Sequence, residues 1–234
     1  HISQISQLLI SNTLLHLNLS NNNIETIPDS INKLNKLKYL NLNYNKIDKL
    51  NNIDGLFNLQ ELYINNNNIS TFKISNNNLQ KVDLSYNNIM KIKYLNNLTK
   101  LKCLYLNNNK IKRIPNLNKL KELEELKLND NNISEIYFFM GKKNILIDLN
   151  LSNNEIIMIP KYFKYLSKLI TLNLSNNKII HLPNIFNTLK DIKYLDIHNN
   201  NIKFLPSSLN LLKLLNFKCT SNLLYKITYP FQNI

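Results

Sequence analysis

One eleven-residue pattern, Leu-x-x-Leu-x-Leu-x-x-Asn-x-Ile, governs what this chain can fold into, because it returns ten times. The first copy is Leu14, Leu17, Leu19, Asn22 and Ile24. Its Asn position recurs at Asn45, Asn67, Asn87, Asn109, Asn131, Asn154, Asn177, Asn200 and Asn222. Successive Asn are 23, 22, 20, 22, 22, 23, 23, 23 and 22 residues apart. Self-similarity at such a period indicates stacked units, each too small to bury its apolar face alone. The 234 residues therefore read as a single domain, residues 1–234. Residues 14–224 are the ten copies, 1–13 the end of a preceding unit or an N-terminal cap, and 225–234 the start of a C-terminal cap containing Tyr229, Pro230 and Phe231.

Each copy has two halves. Around the two central leucines apolar and polar residues alternate, the period of a half-buried strand. In the first copy Leu17 and Leu19 point inward while His16, Asn18 and Ser20 point out. Ten such strands, one per turn of the coil, must stack in parallel. The recurring Asn sits where the chain leaves the sheet and its backbone groups lose their ladder partners. A buried side-chain amide, with two donors and an acceptor, satisfies them, so the ten Asn are expected to form a structural ladder along one edge. The outer half comes in two forms. Five copies carry an apolar residue followed by Pro: Ile27-Pro28, Ile114-Pro115, Ile159-Pro160, Leu182-Pro183 and Leu205-Pro206. Pro fixes φ and suits entry into a short helical turn. Middle copies instead space apolar residues by three, as in Ile47, Leu50, Ile53, Leu56, Leu59 and Ile89, Ile92, Leu95, Leu98, Leu101, which is 3₁₀-like. The copy from Asn67 to Asn87 is the shortest and should have the tightest outer segment.

These copies, from Leu14 to Leu224, resemble the leucine-rich repeat superfamily. The resemblance implies an α/β class fold, a right-handed β-α/3₁₀ superhelix. A curved parallel sheet of about ten short strands would line its concave face, with mostly 3₁₀ or irregular segments on the convex face. The 22-residue copies resemble the class typified by a regulatory subunit of protein phosphatase 1. The 23-residue copies with Ile-Pro resemble the class found in Ras-signalling scaffolds. The intracellular type is implied, since extracellular members close their ends with cysteine-rich caps and neither end here has one.

Composition bears on charge and compartment. Gly is 2, Pro is 6, Arg113 is the one Arg, and Ala is absent, while Asn, Lys, Ile, Leu and Tyr abound. That balance follows AT-rich codons, so much of the Lys excess reads as nucleotide bias. A net charge of +14 would otherwise suggest nucleic acid or an anionic membrane surface. Base readout and bidentate phosphate contacts favour Arg, which Lys cannot replace. The two cysteines, Cys103 and Cys219, lie five copies apart, roughly 24 Å at the strand spacing of a sheet and beyond disulfide reach. An intracellular, mainly cytoplasmic location is expected, with the nucleus as an alternative. The chain begins at His1, which reads as a fragment or processed form.

No catalytic, cofactor or metal site is read. His1, His16, His181 and His198 lack ligand spacing, and Gly55 and Gly141 are too few for a phosphate loop. Cys103 faces the sheet surface without a neighbouring His to serve as base, so it reads as structural, and Cys219 as a buried small hydrophobe. The informative positions lie six, four and two residues before each ladder Asn, facing outward from the sheet. They include Tyr39, Glu61, Tyr63, Lys81, Asp83, Tyr105, Glu125, Lys127, Asp148, Tyr194, Asp196 and His198, the candidate protein-binding face. This face carries five acids against Lys81, Lys127 and Lys218, so it is near neutral on a basic chain. Tyr63 and Tyr105, with Asp83 between them and Glu125 beside, form the expected centre of contact, since tyrosines concentrate binding energy. Tyr44 and Tyr86 stand at the strand exits. The excess cations, Lys91, Lys93, Lys110, Lys112, Arg113, Lys119 and Lys121, fall on the outer side. The leading expectation is a non-enzymatic scaffold that binds another protein on its concave face, without a small-molecule substrate. One alternative is a polyanion or membrane-surface adaptor using the Lys-rich exterior. Another is the recognition segment of a larger enzyme or ligase adaptor.

Overall fold

A computed structural model describes residues 13–137, 141 and 143–225. Both expected caps fall largely outside them. Twelve three-residue strands occur among the described residues: β1 (His16–Asn18), β2 (Tyr39–Asn41), β3 (Glu61–Tyr63), β4 (Thr71–Lys73), β5 (Lys81–Asp83), β6 (Lys91–Lys93), β7 (Cys103–Tyr105), β8 (Glu125–Lys127), β9 (Asp148–Asn150), β10 (Thr171–Asn173), β11 (Tyr194–Asp196) and β12 (Asn216–Lys218). Ten form one parallel sheet in chain order, while β4 and β6 pair separately on the outer side. The central residues align in a single row, Leu17, Leu40, Leu62, Val82, Leu104, Leu126, Leu149, Leu172, Leu195 and Phe217. From Leu40 to Leu195 this row is buried, and its neighbours two residues on, such as Leu42, Leu84, Leu128 and Leu174, complete the inner face of the sheet.

The Asn ladder satisfies the chain where it leaves the sheet. Asn109 Nδ2 donates to the carbonyl of Leu84 in the preceding copy (2.9 Å) and to those of Leu106 and Asn107 in its own (3.1 and 3.3 Å). Its Oδ1 accepts the Ile89 N–H at 2.9 Å. The same set recurs at Asn45, Asn67, Asn87, Asn131, Asn154, Asn177, Asn200 and Asn222. Asn22 donates to the Leu19 and Ser20 carbonyls. The residue before each ladder Asn is left-handed, with φ between 51° and 57°. Asn and Asp tolerate that conformation best, and they fill seven of the ten positions. Tyr44 and Tyr86 fill two more at φ 55° and 52°, and Ser221 the last.

On the outer side the spacing of three becomes a chain of i→i+3 hydrogen bonds between buried residues. Leu34 N–H donates to the Ile31 carbonyl and Leu37 to Leu34. Leu98 to Leu95 and Leu101 to Leu98 repeat the arrangement. Pro28, Pro160 and Pro206 stand immediately before 3₁₀ turns at Asp29–Lys33, Lys161–Tyr165 and Ser207–Leu211, each giving its carbonyl to the first bond.

The shortest copy departs from the expected tight turn. After Asn67 the chain runs extended through β4, with Phe72 and Ile74 buried, and β6 in the next copy pairs beside it. Fewer residues must span the same arc, and an extended residue advances about 3.3 Å against about 2.0 Å in a 3₁₀ turn. The copy is therefore short because it is stretched. Among the described residues no helix is long and apolar enough to cross a membrane.

Candidate protein-binding face

The strands fix the outward residues in columns that differ by one copy. At the N-terminal end the rings of His16 and Tyr39 lie 5.9 Å apart, and those of Tyr39 and Tyr63 5.3 Å, both tilted. Lys81 continues the row. Its Nζ sits 5.5 Å from the centre of the Tyr63 ring and 5.4 Å from that of Tyr105, so one ammonium is shared by two aromatic rings. The rings are anchored at their far ends. Tyr63 donates its hydroxyl to Glu61 Oε2 at 2.8 Å, and Tyr105 donates to Glu125 Oε2 at 2.6 Å. Burial, and then the hydrogen bond to the carboxylate, pushes both phenols above their ordinary range.

The sequence places Asp83 between Tyr63 and Tyr105, and the strand register agrees. Its carboxylate, however, turns along the strand edge to accept from Asn65 Nδ2 (2.7 Å) and from Ser85 Oγ (2.6 Å) and N–H (3.0 Å). Lys81 is the group that joins the two rings, reaching diagonally from a register shared with Glu61 and Cys103. Diagonal neighbours on a sheet lie within reach of long side chains, and that was the available signal. Lys127 forms an ion pair with Asp148, the next charged step along the face. Tyr39, Glu61, Tyr63, Lys81, Asp83, Tyr105, Glu125, Lys127 and Asp148 thus lie on neighbouring strands of the ten-stranded sheet, β2, β3, β5, β7, β8 and β9. Tyr194, Asp196 and His198 form a separate group. His198 Nδ1 lies 2.6 Å from Asp196 Oδ1, and Lys218 Nζ 3.9 Å from its other oxygen. Thr171 and Asn173 on β10 separate the two.

The arrangement offers binding chemistry. Cys103 is half-buried, and burial together with the Glu125 charge raises its thiol pKa, which disfavours the thiolate a nucleophile requires. Cys219 is likewise half-buried and raised by burial. Among the described residues no cluster of His, Cys, Asp and Glu could hold a metal ion. The ladder Asn are engaged by backbone groups, and their role is structural. Two features drew less weight in the sequence. Tyr44 and Tyr86 leave 56% and 53% of their surface exposed despite their left-handed backbone. The outer side also carries open grooves, one of about 520 Å3 along Ile136, Met158 and Tyr162 and one of about 790 Å3 along Lys91–Lys93 and Lys112–Asn116.

Comparison with known proteins bears on the fold and the class. The family described as "Leucine rich repeat" matches residues 1–47, 12–69 and 146–202, together more than half the chain. "Leucine Rich repeats (2 copies)" matches 77–112 and 99–139. Among solved structures, an internalin from Listeria monocytogenes is 29% identical with a TM-score of 0.79, covering 92% of this chain and 64% of its own. A leucine-rich repeat protein from Leptospira interrogans is 27% identical with a TM-score of 0.70, covering 89% and 61%. The repeat protein FLRT2, solved in an octameric complex with Latrophilin 3 and Unc5D, matches at 24% identity with a TM-score of 0.72, covering 93% and 76%. The chain spans less than two thirds of the two bacterial structures it matches. No curated protein matches it in sequence.

Proposed function

This chain belongs to the leucine-rich repeat family, and we propose that it is a non-enzymatic scaffold that binds a protein partner on its sheet face. The family is typically a protein–protein interaction module and usually non-catalytic. FLRT2 is solved with protein partners, and so is Toll with Spatzle in Drosophila. The observation that carries the reading here is the row His16, Tyr39, Tyr63, Lys81 and Tyr105, which crosses five adjacent strands of the sheet. Tyr63 and Tyr105 are tied to carboxylates on rigid strands, so little side-chain entropy remains to be lost on docking. The neighbouring Glu61 and Glu125 carboxylates already accept from the phenols and Lys81 already lies against both rings, so part of their polar capacity is met before docking.

The partner is a folded protein whose surface offers apolar and donor groups to a tyrosine-rich, near-neutral face. The phosphatase-regulator resemblance of the 22-residue copies makes a phosphatase catalytic subunit one such partner, and a further enzymatic or ligase segment of the same protein another. We also propose an intracellular location, supported by the free thiols Cys103 and Cys219. The test is quantitative capture with the wild type and the Tyr39→Ala/Tyr63→Ala/Tyr105→Ala variant, both checked for folding by circular dichroism. The reading expects a protein retained by the wild type and lost by the variant. Equal retention by both removes the sheet face as the binding surface.

A further inference from the structure

A second surface lies on the outer side of the fourth and fifth copies. The chain there runs Ile89-Met90-Lys91-Ile92-Lys93 and, one copy on, Ile111-Lys112-Arg113-Ile114-Pro115. Ile89, Ile111 and Ile114 are buried and hold both stretches down, leaving an open groove of about 790 Å3 along them. Lys91, Lys93, Lys112 and Arg113 line it exposed, and no acid lines it. Among the described residues none of these four takes part in an ion pair. On the sheet face, by contrast, Lys81 and Lys127 are both engaged.

The groove exists because the outer sheet stops at β6. The Met90 N–H donates to the Ser70 carbonyl at 3.1 Å, on the β4 side. Strand alternation then turns the amides of Lys91 and Lys93 the other way, toward the fifth copy. Among the described residues no backbone hydrogen bond joins Lys91–Lys93 to that copy, and Pro115 has no N–H to offer. An edge with open donors and acceptors is a template for another strand. Lysines on such an edge repel other basic strands and select an acidic one. Met90 and Tyr137, 56% and 62% exposed, add apolar contact at the groove.

We propose that this groove is a second docking site, which takes an acidic, extended peptide segment of a protein partner as an added strand on β6. Backbone pairing supplies affinity and side-chain alternation specificity. Carboxylates on one side of the segment meet Lys91, Lys93 and Lys112, and the Arg113 fork takes one bidentately. Glu135, one copy beyond Arg113, raises the pKa of the Tyr137 phenol and marks the end of the basic stretch.

Fluorescence anisotropy with a short labelled peptide of alternating Glu and Val tests this on the 234-residue chain. Binding should weaken about tenfold or more in Lys91→Glu/Arg113→Glu, and as much when alternate peptide amides are N-methylated. N-methylation spares charge and side chains, and it leaves the protein untouched should the double variant misfold. Tyr63→Ala/Tyr105→Ala should bind the peptide as the wild type does, which separates this site from the sheet face. Failure of the peptide to bind overturns the proposal, and so does equal binding of its N-methylated form. Heparin, RNA or phosphatidylserine vesicles binding more tightly than the peptide, and released by the same charge reversal, would make the groove a polyanion site instead.

Discussion

Across β1, β2, β3, β5, β7 and β8 the sheet face carries rings and charges that touch one another, a run that ends in the Lys127–Asp148 ion pair on β9, while beyond Asp148 the same columns on β9 and β10 hold Asn150, Thr171 and Asn173. The backbone beneath both stretches is the same, with one ladder Asn per copy making the same set of bonds. Asn150 and Asn173 spend their side chains on their own strand exits, each accepting from a serine N–H and hydroxyl two residues on. Tyr63 and Tyr105 reach across the face to a lysine. Structural duty and contact chemistry are thus divided by position: the repeat fixes the first everywhere, and the variable columns confer the second on only part of the face.

The largest expected effect ignores that division. Asn109→Ala removes three donated bonds and one accepted bond in a buried site, and should cost about 3 kcal/mol in denaturant unfolding. A ladder Asn in the polar stretch, such as Asn154, should cost as much, and a large difference between the two would break the shared-scaffold half of the comparison. Next is partner affinity. Tyr63→Ala/Tyr105→Ala should weaken it at least about tenfold, whereas Thr171→Ala/Asn173→Ala should leave it nearly unchanged in the same titration.

Alkaline titration sharpens the contrast. Tyr63 and Tyr105 have phenol pKa values raised above the ordinary 10.0, so their neutral forms are favoured in the folded chain. The stability this contributes is complete below pH 10 and is lost as pH rises through the folded values. Absorbance near the tyrosinate band should show both titrating late, and their replacement by Phe should flatten the alkaline fall in stability. Lys81→Met, which removes the charge between the rings, should cost about 1 kcal/mol or less. The smallest effect has the opposite sign. Tyr44→Asn relieves a left-handed tyrosine and should stabilise the fold by roughly 0.5–1 kcal/mol. Weaker partner binding in the same variant would extend the contact face to the strand exits.

Much of the molecule was legible in the sequence. The ten-strand sheet follows from alternation around paired leucines, the ladder from a buried amide at each strand exit, and the 3₁₀ turns from apolar residues three apart. The extended β4 was not legible by that rule. Ile69 and Phe72 keep the spacing of three while Phe72 and Ile74 alternate, and only the missing residues of that copy tip the balance toward a strand. On the sheet face the columns were readable but the pairings were not. Asp83 and Lys81 lie on one strand, and which of them meets the rings depends on side-chain length and on Asn65 and Ser85 capturing the carboxylate. The open edge of β6 depends on the end of a second sheet, which no single copy reveals.

The most direct test of the central claim is site-specific photo-crosslinking. A photoreactive phenylalanine analogue would replace Tyr63, Tyr105, Asn173 or the outer-side Lys119 in turn, with adducts resolved by mass. Adducts to one protein partner from positions 63 and 105, with little from 173 or 119, are the predicted result. Adducts to that partner from position 119 or 173, and none from 63 and 105, would contradict the account.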